Sequence, residues 1–174
     1  MTRFDELSAA FGSDKHLSGY GPHYARHVLG AMDRDWPVSL LEIGVNRGGS
    51  LRMWEGLWPN IRIYGIDNNP EAKAAESEKA KVFIGDQADP EFLRSVLLEA
   101  KHLDFVVDDG SHHLPDMLVS FNTLWPATGK VYVIEDIWYE FLPALENEVH
   151  VKCPHAVVYP SRFENRHIMF AVKP

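Results

Sequence analysis

Residues 39–67, SLLEIGVNRGGSLRMWEGLWPNIRIYGID, decide the fold. Ser39–Val45 is short, apolar and partly β-branched, as a buried strand is, and it runs into glycines at 44, 48 and 49 where the chain can turn tightly. Ser50–Leu57 follows with apolar residues at helical spacing, and Ile61–Asp67 is a second short apolar run. Strand, glycine turn, helix, strand is the repeating unit of a parallel sheet, because parallel neighbours need a crossover. The unit recurs outward along the chain. Lys81–Asp86, Leu103–Asp108 and Lys130–Ile137 read as further strands, and Pro70–Lys79, Pro90–Ala100 and Leu114–Leu124 as helices between them. Each of these helices has Pro near its start, where a missing N–H costs little. One more helix, about Tyr139–Glu148, leads to the runs Ala156–Tyr159 and His167–Val172. The residues between those runs, Pro160–Arg166, are too few for a crossover helix, so the two strands pair as an antiparallel hairpin. The predicted architecture is α/β: a seven-stranded, mostly parallel sheet with helices on both faces and a C-terminal antiparallel hairpin.

The chain has 174 residues, 45% of them hydrophobic and 24% charged, which suits one globular domain with a real core. A net charge of −8 argues against nucleic acid as a partner, and the nearest basic cluster, Arg162 and Arg166, is broken by Glu164. One cysteine, Cys153, rules out an intramolecular disulfide and fits a reducing compartment. Met1–Glu6 has no apolar signal core and no run approaches the ~20 apolar residues of a membrane span, so a cytoplasmic protein without membrane contact is expected. Residues 1–38 form an arm ahead of the 39–174 core: a segment rich in Gly, His and Tyr, FGSDKHLSGYGPHY (Phe11–Tyr24), then a helix to about Met32. Two readings of the arm stay open, a packing element and a segment folded over a ligand. His23 and Tyr24 either start the helix or cover a bound molecule. The arm looks too polar to add much core, and Trp54, Trp58, Trp125 and Trp138 fall on predicted helices, so a homo-oligomer is expected.

Ligands of open α/β sheets sit at the carboxyl ends of the strands. The first strand ends in Glu42-Ile-Gly44-Val-Asn46-Arg-Gly48-Gly-Ser50, in which Ser50 is placed to cap the next helix. This is not G-x-G-x-x-G, which disfavours a pyrophosphate cradle. The second strand ends in Asp67, about twenty residues on, where an acid can accept both hydroxyls of a ribose. The third ends in Gly85-Asp86-Gln87, polar groups suited to an adenine edge. The fourth and fifth end in Asp108-Asp109-Gly-Ser-His112-His113 and Glu135-Asp136. Four carboxylates at adjacent strand ends repel unless a cation sits among them, and oxygen ligands point to Mg²⁺, with Mn²⁺ or Ca²⁺ as substitutes.

In this order, the strand ends resemble the motifs of the class I S-adenosylmethionine methyltransferases, whose Rossmann-like sheet ends in the same reversed hairpin. Phe11-Gly-Ser-Asp-Lys15, Gly19-Tyr20-x-Pro22-x-Tyr24, Asp108–His113 and Glu135-Asp136 extend the resemblance to nearly the whole chain. There it is similar to the metal-dependent O-methyltransferases that modify sugars of macrolide antibiotics such as mycinamicin and tylosin. The resemblance implies a cofactor site of Glu42, Gly44, Asn46, Gly48, Ser50, Asp67, Asn68, Asp86, Gln87 and Asp108. It implies metal ligands Asp109, Glu135 and Asp136, with Asp109 registered against a similar motif of catechol O-methyltransferase. His112 takes the place of the general base, and His113 is the weaker candidate. The chain departs from the family in having no room for the auxiliary N-terminal domain that some members carry.

The implied reaction is Mg-assisted transfer of a methyl group to a hydroxyl of a small molecule, a sugar or natural-product scaffold. A metal suits it because an aliphatic hydroxyl is almost wholly protonated at neutral pH and coordination lowers its pKa. Histidine titrates in the range needed to take the proton. A nicotinamide-dependent oxidoreductase is disfavoured by the missing G-x-G-x-x-G. A non-catalytic cofactor-binding subunit is disfavoured by the Asp109, His112, Glu135, Asp136 set, and a hydroxylase by the lack of a His-His-carboxylate triad at recognisable spacing.

Overall fold

The fold is seen in a computed structural model that describes residues 2–31 and 35–174. Seven short apolar runs form strands: β1 (Val38–Ile43), β2 (Ile61–Asp67), β3 (Ala80–Ile84), β4 (Leu103–Asp108), β5 (Thr128–Trp138), β6 (Val157–Pro160) and β7 (Arg166–Val172). They build one sheet in the order β3-β2-β1-β4-β5-β7-β6. Strands β1 to β5 run parallel, and β7 is antiparallel to both β5 and β6, as the short Pro160–Arg166 link requires. The chain fills the sheet from β1 outward to β3 and then crosses back to β4. That reversal opens a crevice between the carboxyl ends of β1 and β4, where such sheets bind ligands.

Alternating residues of each strand face opposite layers. From β4 and β5, Phe105, Val107, Val131 and Val133 join the core beneath α1 (Arg3–Phe11), α2 (Gly21–His27) and α3 (Gly49–Leu57). Val106, Tyr132 and Ile134 face α4 (Pro90–Ala100), α5 (Leu114–Leu124) and α6 (Leu142–Lys152). Trp54 and Trp58 are fully buried in the first of these cores. No helix among the described residues is long and apolar enough to cross a membrane.

Several expectations need correction. Pro70–Lys79 is not a helix of that length but a 3-10 turn over Pro70–Ala75. Glu76 is already extended, and its carboxylate accepts from Val82 N at 2.9 Å, so strand-edge bonding outweighs helix propensity. The last helix begins at Leu142, one 3-10 turn after Tyr139, and runs to Lys152. Trp138 ends β5 rather than lying on a helix, and Trp125 starts the 3-10 turn Trp125–Ala127. The arm contributes far more core than its composition suggests, for Phe4, Tyr20, Tyr24 and Val28 are fully buried. Phe4 stacks on Tyr24 with ring centroids 4.6 Å apart. Burying such a ring contributes about 1.5–3 kcal/mol. Thr2 and Asp5 close a capping box that starts α1. After α2 the arm continues as a 3-10 turn, Leu29–Ala31, and Met32, the predicted helix end, lies outside the described residues.

Candidate functional site

The crevice is floored by backbone that only glycine permits. Gly44 leaves β1 with φ 89°, and a Cβ there would lie 2.0 Å from the carbonyl oxygen of Asp109. This close approach joins the ends of β1 and β4, with Asp109 N donating to Ile43 O at 3.0 Å. The turn that follows is pinned from β2. Asp67 Oδ2 accepts from Val45 N at 3.0 Å and Asn46 N at 2.8 Å, while Oδ1 accepts from Asn69 N at 2.8 Å.

Two cavities meet at this floor. The larger, about 670 Å³, is lined by Gly44, Asn46, Ser50, Asp67, Asp109, His112, Asp136 and Arg166, with Gly12–Lys15 of the arm as its other wall. The smaller, about 300 Å³, is lined by Asn68, Asp86, Gln87 and Ser111 and shares Gly44, Asp67 and Gly110 with the first. Asp67 therefore stands at the junction, with room on each side for part of one elongated ligand.

Not every residue of the expected cofactor set lines this space. Gly48 is the left-handed N-cap of α3 (φ 73°), and Ser50, read as the cap, is the helix's second residue and makes no capping bond. Glu42 lies behind the floor, accepting from Trp54 Nε1 at 3.1 Å, and burial pushes its carboxyl up. Asp108 is likewise buried, accepting from Gln87 Nε2 at 3.1 Å and Tyr132 OH at 3.2 Å. Burial lifts Asp108 to about 7. Neither residue lines either cavity. Gln87 faces the smaller cavity with its amide already engaged, since Oε1 accepts from Ser111 N at 2.7 Å.

At the reactive end, Asp109 follows β4 directly, and His112 bends into the cavity with φ 56°. Strand β5 loses its register against β7 between Ile134 and Ile137, and Asp136 sits in that irregularity with φ 51°. Such a bulge re-aims successive side chains. Asp136 points into the cavity, where Oδ1 accepts from Tyr20 OH at 2.7 Å and Oδ2 from Arg166 Nη1 at 2.6 Å. Asp109, His112 and Asp136 each offer one ligand atom, all within 4.8 Å of one another. Glu135 lines neither cavity. Its buried carboxylate accepts from Lys15 Nζ at 3.0 Å and from Tyr24 OH. Burial drives Glu135 up to about 8 although Lys15 opposes it. Burial alone would depress Lys15, but Asp109, Glu135 and Glu42 outweigh it and hold the ammonium well above its usual range. Among the described residues, then, the cluster at ligand spacing contains His112 where the sequence reading has Glu135.

His113 caps α5 and sets its ring against Phe141, away from the larger cavity. His23 stacks on Tyr159 and lines neither cavity; Tyr24 lies buried beneath Glu135. Lys15, Tyr20 and Arg166 entered the sequence reading only as motif letters or as part of a weak basic cluster. A lone lysine in a Gly- and His-rich loop was the available signal, and its partners are more than ninety positions away, Asp109 by 94 and Glu135 by 120.

No family model matches the chain. It is 38% identical over 149 residues to mycinamicin VI 2''-O-methyltransferase of Micromonospora griseorubida, covering 79% of this chain and 37% of that enzyme. It is 37% identical over 148 residues to 8-demethyl-8-(2-methoxy-α-L-rhamnosyl)-tetracenomycin-C 3'-O-methyltransferase of Streptomyces olivaceus, again covering 79% and 37%. Among solved structures it is similar to the MycE methyltransferase of the mycinamycin biosynthetic pathway in complex with Mg, SAH and mycinamycin VI. The TM-score is 0.81 at 30% identity, covering 99% of this chain and 54% of that one. The chain thus spans well under two thirds of the length of these relatives.

Proposed function

The chain belongs to the class I S-adenosylmethionine methyltransferases and is related to the O-methyltransferases of macrolide and deoxysugar natural products; on that premise we propose that it methylates a sugar hydroxyl of a natural-product scaffold with the help of a divalent cation. The observation that carries this reading is the pair of cavities meeting at Asp67, the larger of which ends in Asp109, His112 and Asp136. Asp86 and Gln87 of the smaller cavity would hold the adenine side of S-adenosylmethionine, Asp67 its ribose, and the Gly44–Asn46 wall of the larger cavity its methionine portion. Glu42, Gly48 and Asp108 support that site from beneath or beside it.

The donor set suits a hard cation such as Mg²⁺, which prefers oxygen ligands. Asp109, Glu135 and Asp136 would hold it. Glu135 would do so by turning toward the ion a lone pair beyond those bound to Lys15 and Tyr24, since a carboxylate offers about four such positions. That assigns His112, whose Nε2 lies 4.0 Å from Asp109 Oδ1, to the proton rather than the ion. When bound, the cation lowers the acceptor's pKa, and the sulfonium supplies the methyl as its sulfur keeps the carbon–sulfur electron pair. His112 takes the hydroxyl proton as the oxygen–carbon bond forms. Arg166, on the neighbouring strand, fixes Asp136 through its second oxygen. The arm belongs to the same domain on this reading, since its aromatic residues share the core of α3.

Transfer of labelled methyl from S-adenosylmethionine to deoxysugar-bearing acceptors, with and without chelator, tests the proposal. We expect turnover that EDTA abolishes and Mg²⁺ restores; full activity in EDTA removes the metal. Mg²⁺ affinity lost in Glu135→Gln and kept in His112→Ala supports the division of roles, and the reverse assigns His112 to the ion.

A further inference from the structure

The arm grips Asp109, Glu135 and Asp136. Lys15 Nζ donates to Asp109 Oδ2 at 2.6 Å and to Glu135 Oε2 at 3.0 Å; Tyr24 OH donates to Glu135; Tyr20 OH donates to Asp136 at 2.7 Å. Lys15 is 1% exposed, and its ammonium also lies 3.4 Å from Glu42 Oε1, a buried oxygen with no hydrogen-bond partner. Desolvating an ammonium is expensive, and a surface loop spends that energy only where several carboxylates return it. Asp109 is held on one oxygen by Lys15 and turns the other, Oδ1, toward His112. The residues just before Lys15, Gly12–Asp14, wall the larger cavity.

We propose that Lys15 is a positioning residue for the cation site: its ammonium, planted from the arm, fixes the carboxylates of Asp109 and Glu135 and so makes an ordered ligand set depend on the docked arm. This rests on the metal-assisted reading above. Without Lys15, the carboxylates of Asp109, Glu135 and Glu42 face each other without its ammonium between them and rotate apart, which removes ligand atoms from the cavity. Tyr20 and Tyr24 act in the same sense, each on one oxygen.

The test titrates Mn²⁺ alone into the full chain by calorimetry, with no cofactor present. Wild-type binding is the baseline, and its absence overturns the metal reading together with this proposal. Given that baseline, Lys15→Met is expected to weaken Mn²⁺ at least tenfold. Breaking a buried ion pair can also unfold a protein, so Lys15→Met/Glu42→Gln is made alongside it to remove one of the buried charges that Lys15 offsets. That double variant should melt near wild type by circular dichroism and still bind Mn²⁺ weakly. A third variant, Tyr20→Phe, loses a single hydroxyl and should weaken Mn²⁺ several-fold without a change in melting. Wild-type Mn²⁺ affinity in a folded double variant and in Tyr20→Phe overturns the proposal and leaves Lys15 as a counter-ion of the fold.

Discussion

At the scale of single residues, Asp67 combines two tasks. It holds the backbone of the Gly44–Gly48 turn through Val45 and Asn46, and it stands where the two cavities join. On the proposed reading it also accepts the ribose hydroxyls, and hydrogen bonds to a charged acceptor are worth about 1.5–3 kcal/mol each, less what water recovers. Asp67→Ala should therefore weaken S-adenosylhomocysteine binding at least tenfold, and calorimetry showing unchanged affinity would take Asp67 out of the site. His112 makes a different prediction. His112→Ala should keep cofactor and cation but slow methyl transfer by roughly 10²–10⁴, the range for a lost general base. Part of that rate should return at high pH, where hydroxide does the same work. A variant turning over at wild-type rate moves the base role to His113 or solvent.

At the scale of elements, the arm is where stability and site meet. Phe4 on α1 stacks on Tyr24, and Tyr24 in turn holds Glu135, so packing of one ring is felt at an acid of the site. Phe4→Ala should cost about 3–5 kcal/mol, as large-to-small changes in a closed core do. Denaturant titration measures it, and a loss under 1 kcal/mol would show that α1 is not seated on the core. On α2, His23 and His27 rest against Tyr159, and burial, then the charge of Arg26, lowers both below the usual histidine value. The unfolded chain then binds their protons more readily than the folded one. Their contribution is present above about pH 6.5 and is lost as pH falls through the lowered folded values. The melting temperature should drop between pH 7 and pH 5, and drop less in His23→Gln/His27→Gln. Equal drops in the two proteins would clear these histidines. The bulge of β5 shows why elements matter for chemistry: regular pairing would alternate Glu135 and Asp136 across the sheet, whereas the irregularity aims Asp136 at the cavity.

At the scale of the whole molecule, we infer self-association, because Trp138, Tyr139 and Phe163 stay substantially exposed around the β5 end and the β6–β7 link. Light scattering at micromolar concentration should give a multiple of 19.8 kDa, and a mass near 19.8 kDa would refute it. The sheet itself was legible in the linear order of residues. Short apolar runs ending in Gly44, Asp67, Gln87, Asp109 and Asp136, and a final link too short for a crossover, leave few other topologies. Those are local properties, readable because strand period and link length are set within a few residues. What they could not show is which oxygen of which acid faces the cavity. Lys15 and Glu135 are 120 positions apart, Tyr20 and Asp136 116, and nothing local in either sequence segment announces the pairing. Likewise the arm reads as polar by composition, yet Phe4, Tyr20 and Tyr24 find a buried face only once α3 and the sheet are present. The order of short apolar runs and their polar ends determined where the candidate site lies, and long-range packing of the arm decided how its acids are aimed, because burial and charge compensation are properties of the assembled core.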